Sequence, residues 1–587
     1  MVGELYSMSV AYLPRVMLVA LTALVALLPS SVHAQQNVPA PSQVAPPMAP
    51  AAPSQPSRIV LPQVEAGAAI PLGAKALKFH LTGFAIDGEF AELAEARKTL
   101  EAPLVGRRVS VAQVFEFAAA LQAAYVNAGY PLVRVVVSPQ ELGTAATIRL
   151  RVVDGFVERV DASAIGERVR GQVLSVISSL IGKRHLTQAE LERRLLLAGD
   201  TPGLVLNAVF SAGKEVGGVV LVLTGRYRPV SLSLYSDDSM PTVFGTGQLV
   251  ATASLNSVFG RGEQLTVSAA GLPDKDYSTS FPTRRYLSAV ASLPLGTDGW
   301  ILEGGFTRGV TTPRVNLSSA SQGNLTQGHA KLSYAFLKRR NAELTFSARF
   351  DATDEQLETL AFAPPIALSL DRLRVLRFGA EGVLRWRETG TVIAYGATYS
   401  RGLDAFGART AADADVFLPL SRAGADAVFG KLQGRIDITQ SLPEAFYVSV
   451  STAGQTAFNK PLLNSEQFDI VGSRMLSGYT SGTFAGDAGW AVRGELGRAF
   501  NFPNPVLPGI LTPYVFAAAG ERLLEAPTAL EQALVRARNA GGGLRLNAAT
   551  PGEHATDVSG FIEVSRRYSD DGQRQGWRVF AGGSLRY

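Results

Sequence analysis

Cysteine is absent from all 587 residues, so the chain has no disulfide, no thiolate metal ligand and no thiol nucleophile. Only five histidines occur, and none stands at metal-ligand spacing from another. There is no Gly-x-x-x-x-Gly-Lys-Ser/Thr loop and no Gly-x-Ser-x-Gly elbow, which removes two common routes to phosphoryl and acyl transfer. Charged residues reach only 18%, and the net charge of +5 forms no basic block, an arrangement unsuited to nucleic acid. Asp237-Asp238 and Asp570-Asp571 fall in turn-like stretches and read as solvated loop charge rather than calcium ligands. No enzyme site, cofactor or metal is expected.

Long apolar runs are also missing, with one exception. Arg15 precedes the run Val16 to Leu28, and Ser30-Ser31-Val32-His33-Ala34 ends in a small residue at a cleavage point. Residues 1–34 therefore read as a secretory signal peptide. The run is shorter than the roughly 18 apolar residues that a spanning helix needs. Residues 35–75 read as a proline-rich linker, with seven prolines between Gln35 and Ser57 (Pro39, Pro41, Pro46, Pro47, Pro50, Pro53 and Pro56). That composition predicts an extended, disordered spacer.

What is present is apolar surface, at 47% of residues, and 58 glycines. An exported chain with much apolar surface and no second spanning helix is expected to be an outer-membrane barrel. Ahead of the barrel, the pattern predicts two small mixed units over 76–154 and 155–227. In the first, Leu77 to Leu81 alternates as a strand. Ser110-Val111-Ala112-Gln113 is a capping box, and Val114, Phe117, Leu121 and Tyr125 follow at helical spacing until Gly129. Strands are predicted at Val133 to Val137 and Ala146 to Val152. In the second unit, helices are predicted over Glu167 to Ile181 and from the capping box Thr187-Gln188-Ala189-Glu190 to Leu197. Strands follow at Leu204 to Phe210 and Gly218 to Leu223. Open sheet edges in such units could accept another chain's strand.

From residue 228 to 587 about sixteen segments alternate with period two, the last ending on Tyr587. A soluble β-sandwich would also alternate, but a barrel of about 16 antiparallel strands accounts for length, alternation and aromatic terminus together. The fold class expected is thus α+β units followed by an all-β transmembrane barrel, with both ends on the periplasmic side. Alternation places Lys431, Gln433, Arg435 and Asp437 on a polar lumenal face, and Arg493 and Glu495 inward with Trp490, Val492 and Leu496 facing lipid.

Tandem β-α-α-β-β units before such a barrel resemble the outer-membrane transporters of two-partner secretion (TpsB type, ShlB/FhaC/HecB), within the superfamily that contains BamA. The resemblance covers nearly the whole exported chain. The first unit resembles a POTRA domain through Ala128-Gly129-Tyr130-Pro131, Pro139-Gln140-Glu141-Leu142 and Val153-Asp154-Gly155-Phe156-Val157. The second does so through Leu191-Glu192-Arg193-Arg194-Leu195 and Gly199-Asp200-Thr201-Pro202-Gly203. The long loop 459–487, between the eleventh and twelfth strands, falls where the family's sixth extracellular loop folds back into the lumen. Gly486, Asp487 and Gly489, with Arg493 and Glu495, match the family's Gly-Asp-x-Gly and Arg-x-Glu.

The family's loop tip reads Val-Arg-Gly-Tyr/Phe, where the arginine pairs with an aspartate on the thirteenth strand in Phe-x-Asp-x-Gly. Here the tip aligns as Ser477, Gly478 and Tyr479, and the wall as Phe516, Ala518 and Gly520, so both halves of that ion pair are missing. Val492-Arg493-Gly494 then reads as a decoy. The resemblance implies a loop docked through Tyr479 and backbone, with Arg474 pairing Glu521 or Glu495 instead, or else a looser loop. It further implies export of an unfolded exoprotein, captured in the periplasm by its N-terminal secretion domain at Gly129, Tyr130, Pro131 and Gln140. Movement of Gly472 to Gly486 would gate the pore. The expected surroundings are outer-membrane lipid and lipopolysaccharide, with barrel-assembly machinery for the chain's own insertion. Assembly of other barrel proteins is the alternative on the same fold.

Overall fold

The computed structural model describes residues 38–46, 58–59, 70–314, 320–529, 531–552, 555–572 and 575–587. The stretch 1–34, read as a signal peptide, lies outside the described residues. In the first unit the capping box forms as expected. Ser110 Oγ accepts the Gln113 N–H at 3.3 Å, and Gln113 Oε1 accepts the Ser110 N–H at 2.9 Å. The helix Val111–Asn127 then buries Val114, Phe117, Leu121 and Tyr125 against a four-stranded sheet. Its strand order is Arg108–Ser110, Lys78–Asp87, Ala145–Val153, Arg134–Val137. A second helix, Ala94–Glu101, has no fully buried residue and packs on the core only through half-buried Ala96 and Leu100, one turn apart. Gly129 ends the long helix with φ +97°, a conformation that suits glycine.

The second unit packs helices Glu167–Ile177 and Gln188–Gly199 on strands Phe156–Ala164, Leu204–Ala212 and Gly218–Tyr227. One of its sheet edges is not open. Arg58–Ile59 from the linker runs parallel to Leu204–Ala212, opposite Asn207 and Ala208. The stretch Leu191 to Leu195 serves two surfaces. Leu191 and Leu195 are buried in the unit's core, while the arginines between them grip the barrel. Arg193 donates to the carbonyls of Ala335 and Asp298, both at 2.7 Å. Arg194 reaches the Thr297 carbonyl at 2.9 Å and the Asp298 carboxylate at 2.8 Å.

Sixteen antiparallel strands close the barrel. They are β1 Val230–Asp237, β2 Gln248–Asn256, β3 Gln264–Ala270, β4 Arg284–Leu295, β5 Trp300–Thr311, β6 Ser321–Lys338, β7 Ala342–Thr359 and β8 Ile366–Trp386. The second half comprises β9 Thr391–Gly402, β10 Gly430–Ser441, β11 Phe446–Thr456, β12 Ala488–Arg498, β13 Gly509–Leu523, β14 Leu534–Ala549, β15 Asp557–Ser569 and β16 Gly576–Arg586. No helix among the described residues is long and apolar enough to cross a membrane; the strands carry the apolar outer face. On β12, Arg493 and Glu495 are buried inward while Trp490 and Leu496 are exposed outward. The closing pair is short, joining Gly582–Arg586 to Ser233–Asp237.

Two sequence expectations fail here. Asp237 and Asp238 are buried rather than solvated. Asp237 accepts the Gln248 amide at 2.7 Å, and Asp238 accepts the Ala581 N–H at 2.9 Å. Where the short closing ladder ends, the Asp238 carboxylate takes a β16 backbone donor in place of a strand partner, while Asp237 takes side-chain donors.

The linker, in turn, is not simply a spacer. Residues 38–46 lie inside the barrel, with one 3-10 turn at Pro41–Gln43. Ser42 donates from its N–H and Oγ to the Glu355 carboxylate at 2.8 and 2.9 Å. Tyr286 donates to the Pro41 carbonyl at 2.5 Å, and Arg284 to the Val44 carbonyl at 2.8 Å. Proline lacks an N–H, so a proline-rich segment needs donors for its carbonyls and few acceptors. The inward polar wall supplies them, which an isolated linker sequence could not reveal.

Candidate functional site: the folded-back loop

The chain leaves β11 at Thr456 and enters β12 at Ala488, and the intervening residues fold into the barrel. At the base, Leu462 and Leu463 pack with Leu373, Val375 and Phe429. Glu466, in the turn Asn464–Glu466, lies 2.6 Å from Arg377 and 2.9 Å from Lys431. Arg377 also meets Asp351 at 2.7 Å. Asp487 is wholly buried and collects four donors: Arg422 at 2.5 Å, the N–H groups of Leu462 and Glu525 at 3.0 and 2.8 Å, and the Gln467 amide at 3.3 Å. A two-residue ribbon, Phe468–Asp469 with Ala485–Gly486, then carries the loop inward. Gly489, second in β12, stands opposite Arg522.

At the tip, Ile470, Leu476, Tyr479 and Phe484 pack against Ala491, Ala518, Val535 and Ala537. Ser477 Oγ donates to Glu563 at 2.6 Å and accepts from Arg493 at 2.9 Å. Arg493 meets Glu563 at 2.7 Å and Glu495 at 3.0 Å, and its guanidinium lies 3.7 Å above the Phe516 ring. Tyr514 donates to Glu563 at 2.8 Å, while Glu495 takes Tyr447 at 2.5 Å and Arg545 at 3.1 Å. The Tyr479 hydroxyl lies 2.7 Å from the Tyr568 carbonyl and 3.1 Å from that of Arg538.

Two glycines set the fit. A Cβ on Gly478 would stand 3.0 Å from both Arg567 and Asn539, and one on Gly520 would stand 2.9 Å from Leu476. Each glycine therefore lets side chains of the facing surface pack directly on its backbone.

This geometry reassigns the arginine. Val492-Arg493-Gly494 lies on β12 and not at the tip, as expected, yet Arg493 reaches the tip from the wall, directly opposite Ala518 in register. Glu563 on β15 stands in for an aspartate on β13. The Arg474 pairings are not formed. Arg474 is 79% exposed and comes no nearer a carboxylate than 4.0 Å from Asp437. Glu521 lies on the outer face of β13, two residues from outward Ala519, and pairs with Arg536 at 2.8 Å. Strand parity decides this, because Ala518 and Gly520 take the inward positions.

Of the polar lumenal set, Lys431 belongs to the base cluster. Gln433 and Arg435 line a cavity of about 560 Å³ beside it. Arg435 pairs with Glu381 at 3.3 Å, and Asp437 accepts from Ser451 at 2.6 Å.

In the first unit, the Gly129 carbonyl accepts the Gln188 N–H at 2.8 Å and so joins the two units. Tyr130 donates to Glu92 at 2.6 Å; that bond holds the Glu92 carboxyl below its usual range and raises the tyrosine. Pro131 lies in the turn that follows. The Gln140 amide is committed to the Arg149 backbone, at 2.9 and 3.1 Å. Sequence reading missed Glu466, Arg377, Asp351, Arg422 and Glu563. Arg377, Asp351 and Glu563 have inward parity on their strands, whereas Glu466 and Arg422 lie in loops, where alternation gives no signal.

A closed barrel holding its own loop, preceded by two α+β units, defines an outer-membrane transporter with POTRA domains. The family described as haemolysin secretion/activation protein ShlB/FhaC/HecB matches residues 217–546, and the ShlB-type POTRA domain matches residues 79–155. The chain belongs to this family of two-partner secretion transporters of the Gram-negative outer membrane. The Heme/hemopexin transporter protein HuxB of Haemophilus influenzae is 22% identical over 81% of each chain. The Hemolysin transporter protein ShlB of Serratia marcescens is 25% identical over 68% of each. Among solved structures, CdiB from Escherichia coli superposes with a TM-score of 0.67 at 18% identity, covering 90% of this chain and 92% of that one.

Proposed function

We propose that this transporter exports an unfolded partner exoprotein of the β-helical haemolysin or adhesin kind, received in the periplasm by the POTRA domains at its N-terminal secretion domain. The observation that carries the reading is a lumen filled by two segments of the chain itself, 38–46 and 457–487, each held by polar contacts to the inward wall. Such contacts can be exchanged for water, so both segments can withdraw without unfolding the barrel. The inward face left behind is polar, as an extended polypeptide in transit requires. No step needs catalysis or nucleotide, and folding of the cargo outside the cell supplies the direction.

Crosslinking the full-length protein in cells and identifying the captured chains tests this. One large exoprotein, attached through its N-terminal region to the POTRA domains, is the expected result. Many different barrel precursors would instead assign the protein to outer-membrane assembly.

A further inference from the structure

The wall that holds the loop tip has an outer side. There the outward residues of β13 include Ala517 and Ala519, those of β14 run from Ala540 to Arg538, and those of β15 from Val564 to Arg566 and Tyr568. The small alanines leave a notch of about 1010 Å³, with both arginines on its rim. On the periplasmic side of the notch the outer face is apolar, with Val515, Leu544, Ile562 and Val564 exposed.

Arg538 stands opposite Tyr568 in register, and Arg566 opposite Ala540, so the two guanidinium groups are diagonal neighbours on one face. Arg538 lies 4.6 Å over the Tyr568 ring. Among the described residues no carboxylate pairs with either. Glu521 is taken by Arg536, and Asp570 accepts the Arg536 N–H at 2.9 Å. By contrast, outward Arg374 on β8 has its own carboxylate, Asp354, at 2.8 Å. Two like charges side by side at the edge of an apolar band repel unless an anion lies between them.

We propose that this notch binds a phosphate of an outer-leaflet glycolipid of the lipid A class. Two planar guanidinium groups grip the phosphate, and the alanine floor receives the adjoining sugar or acyl chain. The inference rests on the outer-membrane placement of the barrel with the folded-back loop on the extracellular side. Lipid rather than soluble phosphate is the source because the notch opens on the lipid-facing surface, with exposed Val515, Leu544, Ile562 and Val564 beside it. Binding there is coupled to the gate. The carbonyls that Tyr479 meets from inside belong to Arg538 and Tyr568, whose side chains form the rim outside. A lipid that steadies these residues steadies the docked tip.

The test uses the full chain folded in phosphatidylcholine nanodiscs, with bisphosphorylated lipid A, dephosphorylated lipid A and inorganic phosphate as probes. Bound lipid is read by native mass spectrometry and the loop tip by hydrogen exchange. Expected are retention of bisphosphorylated lipid A, about tenfold weaker retention of the dephosphorylated form, and slower exchange around Tyr479 with lipid bound. The variant Arg538→Gln with Arg566→Gln loses this preference, and Arg308→Gln, an outward arginine on β5, keeps it. Equal retention of the two lipids, or displacement by inorganic phosphate alone, overturns the proposal. The two-lipid comparison on the unaltered protein decides the matter even where the double variant does not fold. Cell fractionation reads the membrane placement separately. A chain outside the outer membrane overturns that placement and the proposal with it; an outer-membrane chain indifferent to phosphate overturns only the proposal.

Discussion

The base and the tip of the folded-back loop are held by different chemistry. At the base the loop brings the charge: Glu466 enters a buried cluster in which Arg377 and Lys431 are side chains of the wall. At the tip the wall supplies the whole ion pair, Arg493 with Glu563, and the loop brings no charge to it, only apolar side chains and the hydroxyls of Ser477 and Tyr479. Withdrawing the base therefore strips a charge from two buried cations, whereas withdrawing the tip leaves a neutral pair intact. The base is the anchor and the tip is the catch.

The sharpest way to break this contrast is Glu466→Gln. It leaves Arg377 and Lys431 with Asp351 as their remaining carboxylate, and docking of the loop base is expected to lose about 3–5 kcal/mol. Hydrogen exchange around Leu462 to Asp469 and single-channel conductance should both rise steeply. An unchanged exchange pattern would remove the base as anchor.

Next in size is Arg493→Ala, which leaves Glu563 buried with only hydroxyl donors, at a cost of about 3 kcal/mol to the wall and tip together. In that background Ser477→Arg with Ala518→Asp places an arginine on the tip and an acid on β13. Tip exchange should return toward the unaltered level, which tests whether the two solutions are interchangeable. Ser477→Ala alone removes one hydroxyl from an otherwise paired cluster. It should cost about 1 kcal/mol, visible as faster exchange at the tip and not at the base.

The smallest effect concerns a different part of the molecule and serves as the control. Tyr130→Phe removes the donor that holds Glu92 below its usual range, so the Glu92 titration read by NMR should move upward. Because the folded value is depressed, the stabilisation it brings is present above the ordinary carboxylate range. It is lost as pH falls through the folded value. Loop exchange should not respond.

Local pattern was enough for much of this protein. The Ser110 capping box, the buried face Val114 to Tyr125, the alternation of Trp490 to Leu496 and the place of the long loop follow from periodicities of 3.6 and 2, which the backbone imposes on any chain. The tip partner was not legible. Arg493 and Glu563 are seventy positions apart in sequence but share the lumen because strands β12 and β15 curve around it. Parity can place both inward, yet it carries no information on which inward groups meet across the barrel. Parity does exclude Glu521, because inward Ala518 and Gly520 put it on the outer face of β13.

Sequence by itself determined the order of domains, the closed antiparallel barrel and the family, because each rests on repeated local signals summed over many residues. Only the tertiary structure decided that a proline-rich linker would enter the lumen, that Asp237 and Asp238 would be buried, and which arginine would hold the loop. Those outcomes depend on donors and acceptors brought together from distant strands, because a buried polar group pairs with whatever the closed barrel places nearby.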